Sequence, residues 1–272
     1  MVNIEKYYKK GEPFIDKYYN FDKIPLKFQE NFKNNEKDFE FALHISDYKI
    51  ENSGLLIFAF KDYLYILDDS KEKFLETKFF YSEIDVIKIS RELLLGKLII
   101  IKNDQEIVIH FNSSASITIE EFIKYLREKY IDFKEETPSL PKSKIFNNLE
   151  NIYNIMLSKI DIEIKDFVFQ PDEFLYNKEE NITTKLTSAL YLIGERELII
   201  FNKGKEIKIN NERDYEYSET FIPINKIITI TESNHLLYDD IVIITINLLK
   251  KQIKFLFSND NKDRNKIIYL AK

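Results

Sequence analysis

Few residues in this chain have the types and spacing that chemistry requires. The sequence contains three histidines, His44, His110 and His235, and no cysteine. Histidines that bind a metal usually lie a few residues apart or beside other ligands, and these three are scattered. Without cysteine there is no disulfide, thiolate ligand or thiol nucleophile. We therefore expect no metal site, no cofactor site, no catalytic residues and no enzymatic activity.

The surroundings of the histidines favour structural positions. His44 and His110 alternate with apolar residues, as residues on the polar face of a strand do. His235 follows Ser233-Asn234, a pair typical of a loop.

Two acidic pairs and one basic cluster are the other groups that could bind a ligand. Asp68-Asp69 and Asp239-Asp240 could bind a cation, but acidic pairs at strand ends are usually solvated turns. Lys250, Lys251 and Lys254 form a small basic spot that we expect at the tip of a hairpin. No glycine-rich loop is present that could hold a phosphate.

The composition predicts a soluble, cytoplasmic protein with a sizeable core. Of 272 residues, 44% are hydrophobic, and the net charge of −6 disfavours nucleic acids and anionic membranes as partners. The N-terminal Met1–Asn20 is rich in charge and does not resemble a secretory signal. No stretch approaches the roughly 20 apolar residues that span a bilayer.

The apolar pattern between residues 39 and 111 predicts a series of strands. Phe39 to Ile45 alternate as in a half-buried strand. Leu55 to Leu67 reads as two strands joined at Lys61-Asp62, and Phe79 to Ser90 as one strand or a strand bent near Ser82. Leu98–Ile101 and Ile107–Phe111 predict a hairpin.

Helical patterns precede and follow these strands. Residues 1–37 read as broken amphipathic helix, with Ile24, Phe28 and Phe32 on one face. A second helix is predicted to start at Thr118, where Glu121 completes a capping box and Ile117 and Phe122 are placed for a hydrophobic staple. Its apolar stripe consists of Ile119, Phe122, Ile123, Leu126 and Tyr130.

A linker and a third helix are predicted next. Residues 135–144 contain Pro138 and Pro141, which favour a linker. A helix from Ser143 to Ile160 follows, with an apolar stripe that we expect to pack on the second domain or between the two domains. The helical segment near Asp263 is too short to cover a sheet alone.

The order of elements is repeated in the second half. Gly54–Ser70 aligns without a gap on Ser188–Gly204, so that Leu56 falls on Leu190. FFYSEIDVI from Phe79 aligns on IPINKIITI from Ile222, which places Ile84 on Ile227. Self-similarity in both pattern and order predicts two copies of one sheet-plus-helix domain.

The copies resemble the bacterial pleckstrin-homology-like (PH-like) family, close to its GRAM branch. The resemblance rests on GLLIFAFKDYLYIL, on FFYSEI, on GKLIIIKNDQEIVIHF before a helix, and on IPINKI. It implies a mainly β (α+β) fold with two bent antiparallel sheets or barrels, each with a C-terminal helix. The implied domains are residues 1–134, with an N-terminal helical extension, and 135–272, with the linker helix.

The resemblance implies a non-enzymatic binding scaffold and leaves the ligand-binding residues unknown. The turns that match a lipid-headgroup site, Asp47–Ser53 and Asn177–Lys185, hold few basic residues, which gives phosphoinositide binding little support. Our principal hypothesis is a protein or peptide partner, bound at a sheet edge or beside the C-terminal helix. The alternatives are a peripheral membrane or lipid-sensing protein and, on architecture alone, a nucleoprotein chaperone.

Overall fold

The protein is mainly β, with several antiparallel sheets, in a computed structural model. The structure describes residues 15–33, 38–46, 54–69, 74–92, 95–103, 105–112, 115–130, 153, 157–158, 160, 163–177, 182–204, 207–209 and 216–271. The predicted linker at 135–144 and most of the helix predicted from Ser143 lie outside these residues, as do Lys49, Lys178, Glu179 and Glu180.

The described residues form strands, helices and short 3-10 turns with the following bounds. The strands are β1 (Ile15–Tyr18), β2 (Phe41–Ser46), β3 (Gly54–Ala59), β4 (Tyr63–Asp68), β5 (Leu75–Phe80), β6 (Val86–Glu92), β7 (Leu95–Lys102), β8 (Gln105–Asn112), β9 (Ile164–Gln170), β10 (Glu173–Asn177), β11 (Ile182–Leu186), β12 (Ala189–Gly194), β13 (Glu197–Lys203), β14 (Ile207–Ile209), β15 (Glu216–Pro223), β16 (Thr229–Asn234), β17 (Ile241–Asn247) and β18 (Gln252–Ser258). Helices include α1 (Leu26–Asn31), α2 (Ser116–Tyr130) and α3 (Asn265–Ile268), and short 3-10 turns include Phe21–Lys23, Tyr81–Glu83, Ile224–Lys226, Lys262–Arg264 and Tyr269–Ala271.

The strands form four sheets. Their strand orders are β1-β2-β3-β4-β5, β10-β11-β14, β8-β7-β6-β15-β13-β12-β9 and β16-β17-β18. Each order has two end strands, so none of the four sheets is closed among the described strands. The resemblance implied bent sheets or barrels, and of these two forms the described strands make open sheets.

The chain divides into two compact units. The first contains Met1–Ile84, Leu94–Leu98 and Val108–Tyr130, and the second contains the remaining residues. The predicted domain boundary between residues 134 and 135 lies in a stretch outside the described residues, and it stays a prediction.

The sheet of the first unit is covered on both faces. Phe28 of α1 contacts the ring of His44 on one face, and Phe41 contacts Phe122 of α2 on the other. Ile24 and Phe28 are buried in an aromatic cluster there, with Phe32 packed against it. Only Phe28 lies within α1, so the three share the cluster but not the one helix face that their spacing predicted. Strand β2 was expected to be half-buried, but helices on both faces bury both sets of its side chains.

Three local predictions for the first unit are wrong. Residues 15–18 form β1, which pairs antiparallel with β2, although the sequence pattern favoured helix. Helix α2 begins at Ser116, so Thr118 lies inside the helix rather than at its cap. The earlier start also leaves Ile117 exposed in the first turn, so it forms no staple with buried Phe122. The predicted stripe from Ile119 to Leu126 is buried.

A second helical segment is buried in the second unit. Tyr153, Leu157 and Ile160 are each at most 3% exposed. The Tyr153 hydroxyl donates to Ser188 Oγ at 2.9 Å, and its ring contacts Phe169 edge-on. The described part of the helix predicted from Ser143 thus packs on the unit that contains the second copy.

The order of elements in residues 54–130 recurs in residues 189–271. In each stretch two paired strands lead to a short 3-10 turn, three more strands and a helix. One further strand, β5, lies between the pair and the turn in the first stretch, and two, β14 and β15, lie there in the second. Leu56 and Leu190 are both fully buried in the first strand of their pair, and Ile84 and Ile227 both directly follow the 3-10 turn. The second stretch follows a strand pair, β10 and β11, where the sequence suggested only the turn Asn177–Lys185.

Candidate functional site

Strand β16 presents an open edge in the second unit. It is the end strand of its sheet, and of the described strands only β17 pairs with it. The His235 backbone N–H donates to the Ile241 carbonyl, so Ser233 and Thr231 also face β17 in the alternating ladder. The N–H and C=O groups of Ile230, Glu232 and Asn234 consequently point away from β17.

The side chains of β16 explain why this segment is a strand and why it lies at an edge. Thr229, Ile230 and Thr231 are β-branched, which favours extended backbone. Ile230 packs against the apolar core of the unit, whereas the other side chains are exposed. The Asn247 side chain donates to Thr229 Oγ1 at 3.0 Å and ties the start of β16 to β17.

Arginine 264 holds the C-terminal segment beside this strand. Its guanidinium donates twice to the Glu232 carboxylate, from Nε at 3.0 Å and from Nη2 at 3.2 Å. The Nη1 atom of Arg264 also donates to the carbonyls of Asn259 and Asn261. Such a two-point carboxylate contact orients both groups, so the turn before α3 is positioned along β16.

Exposed apolar side chains occur before, after and beside β16. Ile228 precedes the strand, Leu236 and Leu237 follow it, and Tyr269 comes from the turn after α3 that contacts it. Leu236 is 98% exposed. Large exposed apolar groups close to one open edge are typical of an interaction site.

Strand β6 has the same place as β16 in the order of elements, and its edge is occupied. Each of the two strands comes directly after a 3-10 turn and leads into a hairpin and then a helix. Strand β15 pairs antiparallel with β6, with Ile89 opposite Glu219 and Arg91 opposite Tyr217. The corresponding edge of β16 has no such partner among the described strands.

The three histidines lie in separate places. His44 is 5% exposed, and burial lowers its pKa although the nearby Asp16 and Asp69 carboxylates oppose the shift. It was expected on a polar strand face, but α1 covers that face. Burial and Lys97 lower the pKa of His110. The Nδ1 atom of His235 accepts from the Leu237 N–H in a turn.

The two acidic pairs and the basic spot also lie in different parts of the fold. Asp69 was expected in a solvated turn, but it is buried, accepts from the Gly54 N–H at 2.7 Å and pairs with Lys27. Asp239 and Asp240 are exposed. In the basic spot, Lys251 pairs with Glu106. Within the described residues, no group of three or more acidic or histidine side chains could hold a metal ion.

The turns that were compared with a lipid-headgroup site contribute one described lysine. Lys185 pairs with Asp172 and lies 6.0 Å from the centroid of the exposed Phe174 ring. The hydrogen bonds from Lys185 and from the Ser188 N–H lower the pKa of Asp172, against the effect of burial. Lys185 therefore belongs to a local ion pair.

Sequence reasoning missed the β16 edge because nothing in TITESN distinguishes an end strand from a central one. The signal in the sequence was the Leu236-Leu237 pair beside polar residues, and both leucines are exposed in the structure. Within the described residues, no helix is both long and apolar enough to cross a membrane. No family model matches this chain, and no curated protein matches it.

Proposed function

We propose that this protein is a non-enzymatic binding scaffold that accepts an extended segment of a protein partner on the open edge of β16. In this proposal each copy of the repeated element order is a PH-like domain. The supporting observation is the pairing of β15 with β6. Strand β6 has the place of β16 in the first copy, and its corresponding edge is already paired with another strand of this chain, β15.

The geometry of β16 fits such a partner. The backbone groups of Ile230, Glu232 and Asn234 would form the ladder, since an extended peptide adds to a sheet edge through main-chain hydrogen bonds. Leu237 and Tyr269 are exposed and would contact apolar side chains of the peptide. Binding of this kind needs no catalytic group.

The test is a peptide selected on the full chain from a random phage-displayed library and titrated by calorimetry. Asn234→Pro removes one outward N–H and spares the ladder to β17, whereas Asn234→Ala removes the same side chain and keeps the N–H. We expect the proline variant to bind about tenfold more weakly, the equivalent of roughly 1.4 kcal/mol, and the alanine variant to bind as the wild type does.

Thermal unfolding of both variants shows whether the fold is kept. Equal affinity of the folded proline and alanine variants, or a selection that enriches no peptide, would contradict the proposal.

A second candidate function is peripheral membrane binding through Leu236 and Leu237. Leu236 is almost fully exposed at the turn between β16 and β17, as a membrane-inserting side chain would be. Asp239 and Asp240 follow in the same turn, and their charge opposes contact with anionic lipids. Co-sedimentation with neutral phosphatidylcholine vesicles that is lost in Leu236→Asp would favour this function over the peptide site.

A further inference from the structure

Strand β5 is a second open edge, in the first unit. It is the end strand of the five-stranded sheet, and of the described strands only β4 pairs with it. The Tyr81 N–H donates to the Asp62 carbonyl, so Phe79 and Thr77 face β4 in the alternating ladder. The backbone groups of Glu76 and Lys78 therefore point outward.

The strand that has the place of β5 in the second copy, β15, shows how such an edge is used. The Arg91 guanidinium of β6 donates to Glu219 Oε1 at 2.6 Å and lies 5.6 Å from the centroid of the Tyr217 ring. Glu219 and Tyr217 are two residues apart on β15 and so face the same side of the sheet. Together they bind one arginine of the added strand.

The first copy has an aromatic ring and a carboxylate at the same positions, Phe74 directly before β5 and Glu76 within it. Phe74 and Glu76 lie as far before the 3-10 turn Tyr81–Glu83 as Tyr217 and Glu219 lie before the turn Ile224–Lys226. The ring of Phe74 is fixed against Phe28, with their centroids 5.7 Å apart. An aromatic ring and a carboxylate are thus repeated at this spacing.

The Glu76 carboxylate is held ready for a cation. Lys33 Nζ lies 2.6 Å from Oε1, and the Tyr65 hydroxyl donates to Oε2 at 2.6 Å. These hydrogen bonds, the one from Lys33 first, lower the pKa of Glu76. Lys33 is largely exposed, and each carboxylate oxygen can accept a further hydrogen bond. The lowered pKa keeps the group anionic at neutral pH, and an arriving guanidinium would share the carboxylate with Lys33.

We propose that the β5 edge accepts an antiparallel, extended segment of a partner protein that carries an arginine, whose guanidinium contacts Glu76 and the Phe74 ring. This proposal concerns a different edge from β16 and does not depend on the function proposed for that strand.

A second copy of this chain fits the edge less well. Its β16 has the place of β6, and the register of β6 on β15 would set Glu232 against Glu76. Like charges directly opposite one another in neighbouring strands are unfavourable. Asn234 would also replace the arginine. The charges thus select a foreign segment with a positive side chain.

The probe is the capped, fluorescein-labelled peptide VIKISRE, the sequence of Val86–Glu92, titrated with the full chain by fluorescence anisotropy. Strand β15 is already paired with β6, so β5 is the open acceptor. We expect binding that weakens about tenfold when the peptide arginine is replaced by leucine, a typical loss for a charge-assisted hydrogen bond. Glu76→Gln should weaken binding similarly, and both changes together no further.

Three further variants test whether the peptide binds at the β5 edge and not elsewhere on the chain. Lys78→Pro removes an outward N–H and should weaken binding about tenfold, whereas Lys78→Ala should not. Binding that is unchanged in Glu76→Gln and Lys78→Pro overturns the proposal. So does binding that is lost in Glu219→Gln and kept in Glu76→Gln, because the peptide would then displace β6 from β15.

Analytical ultracentrifugation separates a foreign partner from a second copy. We expect no self-association that depends on Lys78. Concentration-dependent dimers that disappear in Lys78→Pro and persist in Lys78→Ala would assign the edge to a second copy and overturn the proposal of a foreign segment.

Discussion

Arginine 91 and Glu219 form an ion pair across the pairing of β6 and β15, with 2.6 Å between Nη1 and Oε1. Their side chains are only 8% and 12% exposed. The carboxylate lies two residues along β15 from Tyr217, which is directly opposite the arginine. A slip of this pairing by one residue would turn the two side chains to opposite faces. The pair therefore specifies the register of the junction.

Breaking this ion pair should destabilise the second unit. Glu219→Gln removes the charge of one partner of an ion pair whose side chains are both largely buried, and breaking such a pair typically costs about 3–5 kcal/mol. Urea denaturation of wild type, Glu219→Gln, Arg91→Met and the double variant measures the coupling energy. Lys88→Gln, at an exposed position on the same strand, is the control. Additive single effects would show that the two side chains do not interact.

Helix α2 should be required for the stability of the first unit. Leu126 is fully buried in the middle of its apolar stripe, and truncation of a buried leucine to alanine typically costs about 2–5 kcal/mol. Ile117→Ala removes an aliphatic side chain that is 72% exposed on the same helix and serves as the control. A Leu126→Ala unfolding midpoint equal to that of Ile117→Ala would mean that the helix is not packed.

The free energy of unfolding should fall as the pH is lowered from about 7.5 to 5.5. Burial holds the pKa of His44 below its ordinary value of 6.5 in the folded state. The unfolded chain therefore binds more protons as the pH falls through about 6.5, and the stability that His44 contributes is lost.

Urea denaturation across this pH range measures the slope. His44→Leu should reduce it, and His110→Gln should reduce it further, because burial and Lys97 also lower the pKa of His110. An unchanged slope in His44→Leu would contradict this prediction.

The helical segment that contains Leu157 should stabilise the second unit. Leu157 is fully buried, whereas Leu249, in the same unit, is 71% exposed. We expect Leu157→Ala to lower the free energy of unfolding by about 2–5 kcal/mol and Leu249→Ala to have little effect. Chemical denaturation of the full chain is the measurement. Deletion of the segment is less informative, since it risks removing β9, which pairs with β12.

Local patterns predicted much of the fold. The paired strands around Lys61-Asp62, the break after Phe80, the hairpin at Asn103 and the stripe of α2 all follow from side-chain periodicity and turn residues. Asn103 adopts a φ of 54°, which asparagine tolerates better than most residues. These features depend on residues that are close in the sequence.

Long-range contacts overrode local patterns elsewhere. Residues 15–18 form a strand because their backbone groups pair with β2, across an intervening helix, and this pairing outweighs their local preference. His44 is buried because α1 lies on the face of β2 that alternation alone would assign to solvent. Both outcomes depend on residues that no local window contains.

By itself the sequence determined most of the strands and the helix between residues 39 and 130 and the repetition of their order, but not β1, β10 or β11. Only the tertiary structure decided that β6 pairs with β15 while β5 and β16 stay at sheet edges. The physical reason is that strands pair through backbone hydrogen bonds, which every residue except proline can make on either side. Side-chain patterns therefore reveal a strand and its buried face, but not which strand, if any, pairs with its edge.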